Sequence, residues 1–380
     1  MTIQIEPRRL FGTIPAIPSK SHVHRLLIAN FLAGGDPLQL TYMSRDMKTT
    51  ASCLEALAGR ESPTLDCDES GSTARFLLPV AAALKEESTF IGRGRLPERP
   101  FEELCVAMEA HGVIFDSHHL PLHVTGKMTA GAYELPGNVS SQYISGLLFA
   151  LPLLEGRSHI VLTTPLESRC YVDMTCQVLR SFGIEIIETG SGYTVPGEQT
   201  YILPEEVTPE GDWSNSAFWL AAGVKVTGLD ARSAQGDKAI VKIIEDAKVP
   251  GDFHVDVSDI PDLVPITAVI GTARRGKTFI EKAGRLRIKE SDRLHSVCQL
   301  IQHLGGTATE QEDSLIIEGT GTLQGGTVDS YNDHRIVMAA AMASIICAEP
   351  VVIRDAQAVD KSYPAFFEDF QKLGGVCHVI

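Results

Sequence analysis

The stretch CQLIQHLGGTA, Cys298–Ala308, predicts an apolar helix that ends at a glycine and leads into a β-strand. Helices often end at glycine because this residue adopts the left-handed backbone at little cost. The same plan recurs in five further segments, which end near Gly59, Gly112, Gly183 and Gly374 and, as a weaker copy, near Lys248. Six such helices, spaced by about 63 residues on average, favour a repeated supersecondary unit, although glycine-ended helices also occur in unrelated α/β proteins.

Short strand-like runs lie between these helices. They read HIVLTT, IEIIET, DFHVDV, KTFIEKA, DSLIIEG and PVVIRDA. Strands that alternate with helices predict an α/β or α+β protein. Six units suggest three in each of two domains, and residues 203–212 have the proline and glycine content of a linker.

Composition excludes several classes of function. The 380 residues are 44% hydrophobic and 21% charged, as in ordinary globular proteins, and the net charge of −15 argues against a nucleic-acid or membrane surface. The start MTIQIEPRRL lacks the apolar core of a signal peptide, and no apolar run is long enough to span a bilayer. The eight cysteines show no zinc-binding spacing, so we expect reduced thiols in a cytoplasmic protein.

Basic residues crowd the start of the first predicted helix, in the sequence IPSKSHVHRLLIANFLAGG. The positive end of the helix dipole disfavours cations there. Polar or basic residues precede further apolar helices in SGSTARFLL, GNVSSQYISGLL, GDWSNSAFWL, RIKESDRLHSV, NDHRIVMAAA and DKSYPAFF. Helix N-termini combined with such side chains bind phosphates and carboxylates, so the pattern predicts anionic ligands.

Each motif also has a structural explanation. Ser, Asp and Asn are preferred N-cap residues, Gly71 could simply form a turn, and Arg99 could pair with Glu98 on the surface. For Asp259 and Asp262, taken singly, helix capping is the favoured interpretation.

For Glu290 the favoured interpretation is an ion pair with its basic neighbours on a solvated face. Acids placed beside a bound anion could instead transfer protons.

Ten motifs, in this order, resemble the 5-enolpyruvylshikimate-3-phosphate synthase family. They are SKSHVHR, SGSTAR, LPERP, GNVSSQ, YVDMT, GDWSNSAF, DIPD, RIKESDRL, NDHRIVMA and DKSYPAFF, and they span almost the whole chain. The resemblance implies an inside-out α/β barrel of two domains, each with three βαβαββ repeats. It places the domains at residues 20–209 and at residues 1–14 with 214–380, the hinges near 15–19 and 210–213, and the active site in a cleft that closes on substrate.

The family moves the enolpyruvyl group of phosphoenolpyruvate to the 5-hydroxyl of shikimate 3-phosphate by addition and elimination. The resemblance therefore implies a transferase of the shikimate pathway to chorismate and aromatic amino acids. It implies no metal or organic cofactor, no nucleic-acid or membrane partner, and a monomer.

Site residues follow from the same resemblance. Contacts to shikimate 3-phosphate are implied for Lys20, Ser21, Arg25, Ser140, Ser141, Gln142, Ser168, Tyr171, Asp262 and Lys289. Contacts to phosphoenolpyruvate are implied for Lys20, Gly71, Arg99, Gln142, Arg293, Arg335 and Lys361. The catalytic residues would be Lys20 between both substrates, Asp262 as base for the hydroxyl and Glu290 as acid for the methylene carbon, with the acid and base assignment left open.

The sequence departs from the family pattern at a few local positions. They are Pro18 in place of Gly, two histidines that flank Val23, Glu69 in place of Asn, Ser72 in place of Thr, and Arg285 in place of an Asn. None removes a charge that the reaction needs, and two of them, Glu69 and Ser72, lie within two residues of Gly71.

Three rival functions fit the sequence less well. A UDP-N-acetylglucosamine enolpyruvyl transferase uses a mobile loop with a Cys, and residues 85–100 contain none. An RNA 3′-phosphate cyclase fits poorly with the acidic charge, and a non-catalytic sugar-phosphate sensor would need neither Asp262 nor Glu290.

Overall fold

The computed structural model describes all residues, Met1–Ile380. Its twelve α-helices are α1 (Lys20–Leu32), α2 (Arg45–Gly59), α3 (Gly71–Leu84), α4 (Glu102–Glu109), α5 (Ser141–Ala150), α6 (Arg169–Ser181), α7 (Trp213–Ala221), α8 (Ile240–Asp246), α9 (Val264–Ala273), α10 (Arg293–His303), α11 (His334–Ala343) and α12 (Phe366–Lys372). Its eighteen strands are β1 (Ile3–Glu6), β2 (Thr13–Pro15), β3 (Thr64–Asp66), β4 (Glu87–Ile91), β5 (Val113–Phe115), β6 (Leu122–Gly126), β7 (Ala132–Leu135), β8 (Ser158–Leu162), β9 (Ile187–Thr189), β10 (Gly192–Val195), β11 (Lys225–Thr227), β12 (Phe253–Asp256), β13 (Arg275–Glu281), β14 (Thr307–Glu310), β15 (Ser314–Thr320), β16 (Gly326–Asp329), β17 (Val351–Arg354) and β18 (Val376–Val379). The predicted α/β class is confirmed.

The chain forms two compact units. The terminal unit comprises residues 1–19 and 210–380, and the central unit comprises residues 20–209.

Four sheets share one topology. Their strand orders are β3-β4-β6-β5, β7-β8-β10-β9, β12-β13-β15-β14 and β16-β17-β1-β18. In each sheet the first two strands are parallel, and the other two pairings are antiparallel. In the last sheet, β1 from the chain start takes the place that β6, β10 and β15 hold in the others.

Two further repeats are reduced. The pair α1 and α2 has no strand of its own, and the pair α7 and α8 is accompanied by the two-stranded parallel sheet of β2 and β11. The six predicted repeats therefore appear as six helix pairs, four of them with a complete sheet.

The first helix of each pair lies inside its unit. In the terminal unit α7, α9 and α11 pack against one another, and in the central unit α3 packs against α5 while α1 contacts α2 and α6. Almost every residue of α3, α5, α9 and α11 is buried. A helix that is apolar on all sides belongs in a core, which explains why these segments lack an alternating polar face.

The second helices, which the sequence marked by their terminal glycines, cover the outside. Four of the six are followed by a glycine in the left-handed region, at Gly112, Gly183, Gly305 and Gly374. The other two differ: α2 ends at Gly59 without a left-handed residue, and α8 ends at Asp246, before Gly251. The strand-like runs predicted from the sequence are confirmed as β8, β9, β12, β13, β15 and β17.

None of the twelve helices combines the length and hydrophobicity that crossing a membrane requires.

Candidate active site

In the central unit, predicted ligand-binding residues lie at the starts of buried helices. Lys20 is the first residue of α1, whose first turn contains no acidic residue. Gly71 begins α3 behind the N-cap Ser70, and Ser141 begins α5 behind the N-cap Ser140. The first N–H groups of a helix lack intrahelical acceptors and carry partial positive charge, so these starts suit anions.

Lys20 is held by a carboxylate of the next helix. Its Nζ lies 2.9 Å from Oδ2 of Asp46, and the two side chains are only 14% and 12% exposed. The pair fixes the ammonium group at the start of α1 instead of leaving it to move freely in solvent.

Arg25 connects α1 to α6. Its guanidinium donates to Oγ1 of Thr175 at 2.7 Å, to the carbonyl of Ser21 at 2.5 Å and to the carbonyl of Tyr171 at 2.8 Å. It also lies over the ring of Phe76, and burial lowers its pKa to about 10. Three of its five N–H groups are thus committed to the fold, which orients the remaining two.

Gly71 lies directly beneath a guanidinium group. A Cβ atom at this position would lie 2.6 Å from Nη1 of Arg99 and 2.9 Å from Nη1 of Arg75. Arg99 is buried, and its Nε makes no hydrogen bond within the protein. Gln142 completes the cluster, since its amide accepts from Arg75 and donates to Oγ of Ser72, both at 2.9 Å. Arg75, Gln142 and Ser72 therefore join the starts of α3 and α5 in one hydrogen-bond network, and Arg99 lies next to Gly71 beside it.

Ser168 precedes α6 in a strained conformation. Its φ of 54° lies in the left-handed region, which non-glycine residues rarely adopt. The residue is buried at the helix start, and its carbonyl accepts from the N–H of Tyr171 at 3.1 Å. Strain of this kind is common at ligand sites.

In the terminal unit, four predicted residues form one ion network around Arg293. Its guanidinium donates to Asp262 at 2.8 Å, to Glu290 at 2.7 Å and to Asp333 at 2.9 Å. Asp262 also accepts from Arg335 Nη2 at 2.8 Å. The fully buried Arg293 thus holds both candidate catalytic carboxylates.

This network shifts the pKa values of its members. Burial opposes the ionisation of Asp262, but the charges of Arg335, Lys289 and Arg293 outweigh it and hold the carboxyl pKa well below its usual range. Burial lowers the pKa of Lys289 to about 8, although Asp262 and Glu290 oppose this shift. Asp262 is therefore a carboxylate at any working pH, whereas Lys289 titrates just above neutrality.

Asp237 is a carboxyl group near this network whose pKa is shifted upwards, in contrast to that of Asp262. It is buried, and its Oδ1 has no hydrogen-bond partner within the protein. Burial, reinforced by the charge of Asp262, raises the pKa of Asp237 to about 7.

Lys361 lies close to the start of α11. It is buried, and its Nζ donates to the carbonyl of Asn332 at 2.6 Å. Its neighbour Ser362 donates to the side chain of Asn215 at 3.3 Å, which links this segment to α7. The ammonium group therefore has a defined place near the N-cap of α11.

Of three structural explanations offered by the sequence, two prove wrong and the third holds only in part. Arg99 is buried, and Arg95, not Arg99, approaches Glu98, at 3.6 Å. No side chain caps the 3₁₀ turn at residues 261–263 or α9, so Asp262 accepts from arginines instead of capping. Glu290 does form the ion pair with Arg293, but its partner is fully buried and does not lie on a solvated face.

The residues that hold the predicted ones carry no distinctive signal in the sequence. Asp46 comes from α2, and Asp237 lies in a 3₁₀ turn at residues 236–239. Asp333 and Arg75 belong to the helix-start motifs NDHRIVMAAA and SGSTARFLL, and the structure gives each an ionic or hydrogen-bonded partner in the site. Apart from its place in a helix start, no local pattern distinguishes such a residue from a surface charge.

The structure contains no group of three or more His, Cys, Asp or Glu side chains arranged to hold a metal ion. All eight cysteines are free thiols.

Comparison with solved structures defines the class. The fold matches EPSP synthase from Acinetobacter baumannii with a TM-score of 0.79, 21% identity and complete coverage of both chains. It also matches the enolpyruvyl transferase NikO from Streptomyces tendae with a TM-score of 0.75 and 16% identity, over 99% of this chain and 98% of that one. The chain therefore has the enolpyruvyl transferase fold, the inside-out α/β architecture expected from the sequence.

Sequence relatives define the family within that class. The family described as EPSP synthase (3-phosphoshikimate 1-carboxyvinyltransferase) matches residues 58–370. The 3-phosphoshikimate 1-carboxyvinyltransferases of Clostridium novyi (strain NT) and Clostridium kluyveri are 40% and 41% identical; each alignment covers 98% of this chain, and 98% and 97% of the respective relatives. The chain belongs to the EPSP synthase family.

Proposed function

We infer that this protein transfers the enolpyruvyl group of phosphoenolpyruvate to the 5-hydroxyl of shikimate 3-phosphate and releases phosphate. The observation that carries this conclusion is the full-length identity of about 40% to 3-phosphoshikimate 1-carboxyvinyltransferases. The activity is a step of the shikimate pathway, which leads to chorismate and the aromatic amino acids.

The reaction balances as an addition followed by an elimination. The 5-hydroxyl oxygen bonds to C2 of phosphoenolpyruvate and loses its proton to a base, while an acid delivers a proton to C3, which becomes a methyl group. The C2–O bond to phosphate then breaks, and one methyl proton leaves to restore the methylene. The protein must supply a base, an acid and positive charge for two phosphates and a carboxylate.

We assign the central unit mainly to anion binding. Ser21, Arg25, Ser140, Ser141, Ser168 and Tyr171 are proposed to bind shikimate 3-phosphate, and Gly71 and Arg99 to bind phosphoenolpyruvate. Lys20 and Gln142 are proposed to contact both. Support comes from the helix starts, from the buried Nε of Arg99 and from the ion pair that positions Lys20.

The terminal unit is assigned the proton transfers. Asp262 is proposed as the base for the 5-hydroxyl and Glu290 as the acid for C3. Lys289 would contact shikimate 3-phosphate, and Arg293, Arg335 and Lys361 would bind phosphoenolpyruvate. Arg293 supports both assignments because it holds the two carboxylates through separate nitrogen atoms.

We further propose that residues 20–209 form one domain and residues 1–14 with 214–380 the other, with hinges near 15–19 and 210–213. Two hydrogen bonds support these hinge positions, since Ser19 N donates to Glu210 O and Asp212 N to Ile17 O, both at 2.8 Å. We propose a monomer that acts in the cytoplasm, which agrees with the free thiols of all eight cysteines.

Phosphate release from phosphoenolpyruvate tests the proposed function. We expect release only when shikimate 3-phosphate is present, and no release with UDP-N-acetylglucosamine. In D₂O the product should carry deuterium in its methylene group, because the methyl group of the intermediate can lose either isotope. Binding of both substrates without phosphate release would instead indicate a sensor.

Replacing Gly71 with alanine should weaken phosphoenolpyruvate binding selectively. The new methyl group would lie 2.6 Å from Nη1 of Arg99 and displace the proposed anchor. We expect KM for phosphoenolpyruvate to rise at least about tenfold, since a charge-assisted hydrogen bond contributes about 1.5–3 kcal/mol. KM for shikimate 3-phosphate should change less than about twofold, because Arg99 is not assigned to that substrate.

Gly59→Ala is the matched control for Gly71→Ala. It also changes a helical glycine to alanine, but nothing lies within 4 Å of the new methyl group. Both variants should keep the melting temperature of the wild type. An unchanged KM in Gly71→Ala would contradict the assignment of Arg99.

The pKa of Lys289 predicts how shikimate 3-phosphate binding depends on pH. Burial lowers this pKa to about 8, so the ammonium is charged below that value and neutral above it. Because the ligand is anionic, kcat/KM for shikimate 3-phosphate should fall by about tenfold or more as the pH rises through 8. In Lys289→Arg the guanidinium stays protonated, and the fall should disappear. Identical pH profiles would refute the role of Lys289.

A further inference from the structure

A chain of buried hydroxyl groups connects α1 to the start of α3. Nδ1 of His24 lies 2.7 Å from Oγ1 of Thr50, which lies 2.6 Å from Oγ1 of Thr73. Thr73 donates in turn to Oγ of Ser70 at 2.7 Å. All four residues are at most 1% exposed. The chain thus crosses from α1 through α2 to the N-cap of α3 without contact with solvent.

His24 is an unusual residue for this position in a helix core. Its Nε2 is buried without a hydrogen-bond partner. A buried polar atom without a partner lowers the free energy of unfolding, and an apolar side chain at this position would avoid that loss. Burial, together with the charges of Lys20 and Arg25, lowers its pKa well below the ordinary histidine value. The ring is therefore neutral at working pH and acts through its geometry, not through its charge.

The contacts of α1 with α2 repeat after one helical turn. Lys20 pairs with Asp46, and four residues later on both helices His24 bonds to Thr50. The side chains at i and i+4 lie on the same face of a helix, so the two contacts fix the register of α1 on α2. The bond between Thr50 and Thr73 then extends this register to α3.

The start of α3 has little room for displacement. Ser70 accepts from the N–H of Thr73 and places Gly71 immediately after the cap. Gly71 lies so close to Arg99 that even a methyl group does not fit between them. A small shift of α3 would therefore change the position of Gly71 relative to the arginine.

We propose that His24 is a positioning residue that holds the first turn of α3, through Thr50, Thr73 and Ser70, in register with the first turn of α1. The proposal rests on the function proposed above, in which α1 carries Lys20 and α3 carries the phosphoenolpyruvate contact. His24 does not touch substrate. It sets the separation between two groups that do.

Steady-state kinetics of His24→Leu, Thr50→Val and the double variant test this proposal. His24→Leu removes the bond to Thr50, and Thr50→Val removes the bonds to both His24 and Thr73. Each single variant should raise KM for phosphoenolpyruvate about tenfold. KM for shikimate 3-phosphate and kcat should change less than about threefold. The double variant should be no worse than Thr50→Val, because the loss of the Thr50 hydroxyl already separates His24 from α3.

Two further variants separate positioning from folding. His24→Asn can place an amide group where Nδ1 of the ring lies and should restore KM for phosphoenolpyruvate to within about threefold of wild type. Thr49→Val removes the hydroxyl of a half-buried residue next to Thr50 on α2, which donates to the carbonyl of Arg45 in the same helix, and should leave all constants unchanged. If His24→Leu fails to fold, Thr50→Val and His24→Asn still carry the test.

Two outcomes would overturn the proposal and leave the proposed function intact. Lower melting temperatures with an unchanged KM for phosphoenolpyruvate would show that the chain serves only stability. Additive effects in the double variant would show that His24 and Thr50 act separately. A wild-type protein that releases no phosphate would overturn the proposed function itself, and this inference with it.

Discussion

Replacing Lys20 with methionine should lower kcat/KM by about a thousandfold. In the proposed function the ammonium group contacts both substrates, and each hydrogen bond to a charged partner contributes about 1.5–3 kcal/mol. Losing two such bonds costs about 3–6 kcal/mol, and each 1.4 kcal/mol corresponds to a factor of ten. Phosphate release under subsaturating concentrations of both substrates measures the effect.

The Lys20→Met experiment needs a control, because the substitution leaves Asp46 without its cationic partner. Asp46 is only 12% exposed and would lose its cation, which destabilises the central unit by itself. The double variant Lys20→Met/Asp46→Asn removes that unpaired charge and should recover the melting temperature but not the activity. Lys48→Met replaces an exposed lysine of α2 and should behave as wild type. Substantial activity in the double variant would contradict the placement of Lys20.

The repeated architecture could be predicted because each repeat leaves a local signal. An apolar helix, a glycine and a β-branched run are short-range features, and they identified six second helices along the chain. The sheet that combines a strand from the start of the chain with strands near its end could not be predicted from such local signals. The segment at residues 3–6 completes the sheet of β16, β17 and β18, and only tertiary structure brings such distant segments together.

The residues of the candidate site likewise divide into those that local sequence features predict and those that only tertiary contacts reveal. Residues that begin helices were predictable, because a cation such as Lys20 conflicts with the helix dipole and so attracts notice. Their supports were not, since Asp46, Thr50 and Asp333 look like ordinary helix residues or caps in the sequence. Capping was the favoured interpretation of Asp262 for the same reason: the two arginines that bind it lie 31 and 73 residues away in the chain.

Replacing Asp262 with asparagine should lower kcat by about 10²- to 10⁴-fold, the usual range for loss of a general base. The amide has nearly the same shape but cannot accept the proton of the 5-hydroxyl. In the wild type the charges of Arg335, Lys289 and Arg293 keep the pKa of Asp262 far below neutrality, despite the opposing effect of burial. The carboxylate is therefore already ionised in the free enzyme and needs no prior deprotonation.

The same pKa sets a condition on the base role. A strongly depressed pKa makes a weak base, so ligand binding must weaken the hold of the arginines on Asp262. Phosphoenolpyruvate can weaken this hold, because the proposed function assigns Arg293 and Arg335 to its anionic groups. Those anionic groups would compete with the carboxylate of Asp262 for the N–H groups of the two arginines.

We therefore expect Asp262→Asn to lower kcat while changing KM for shikimate 3-phosphate less than about fivefold. Asp259→Asn, an equivalent change three residues earlier, should retain activity within about threefold. Equal losses in both variants would remove the case for Asp262 as the base.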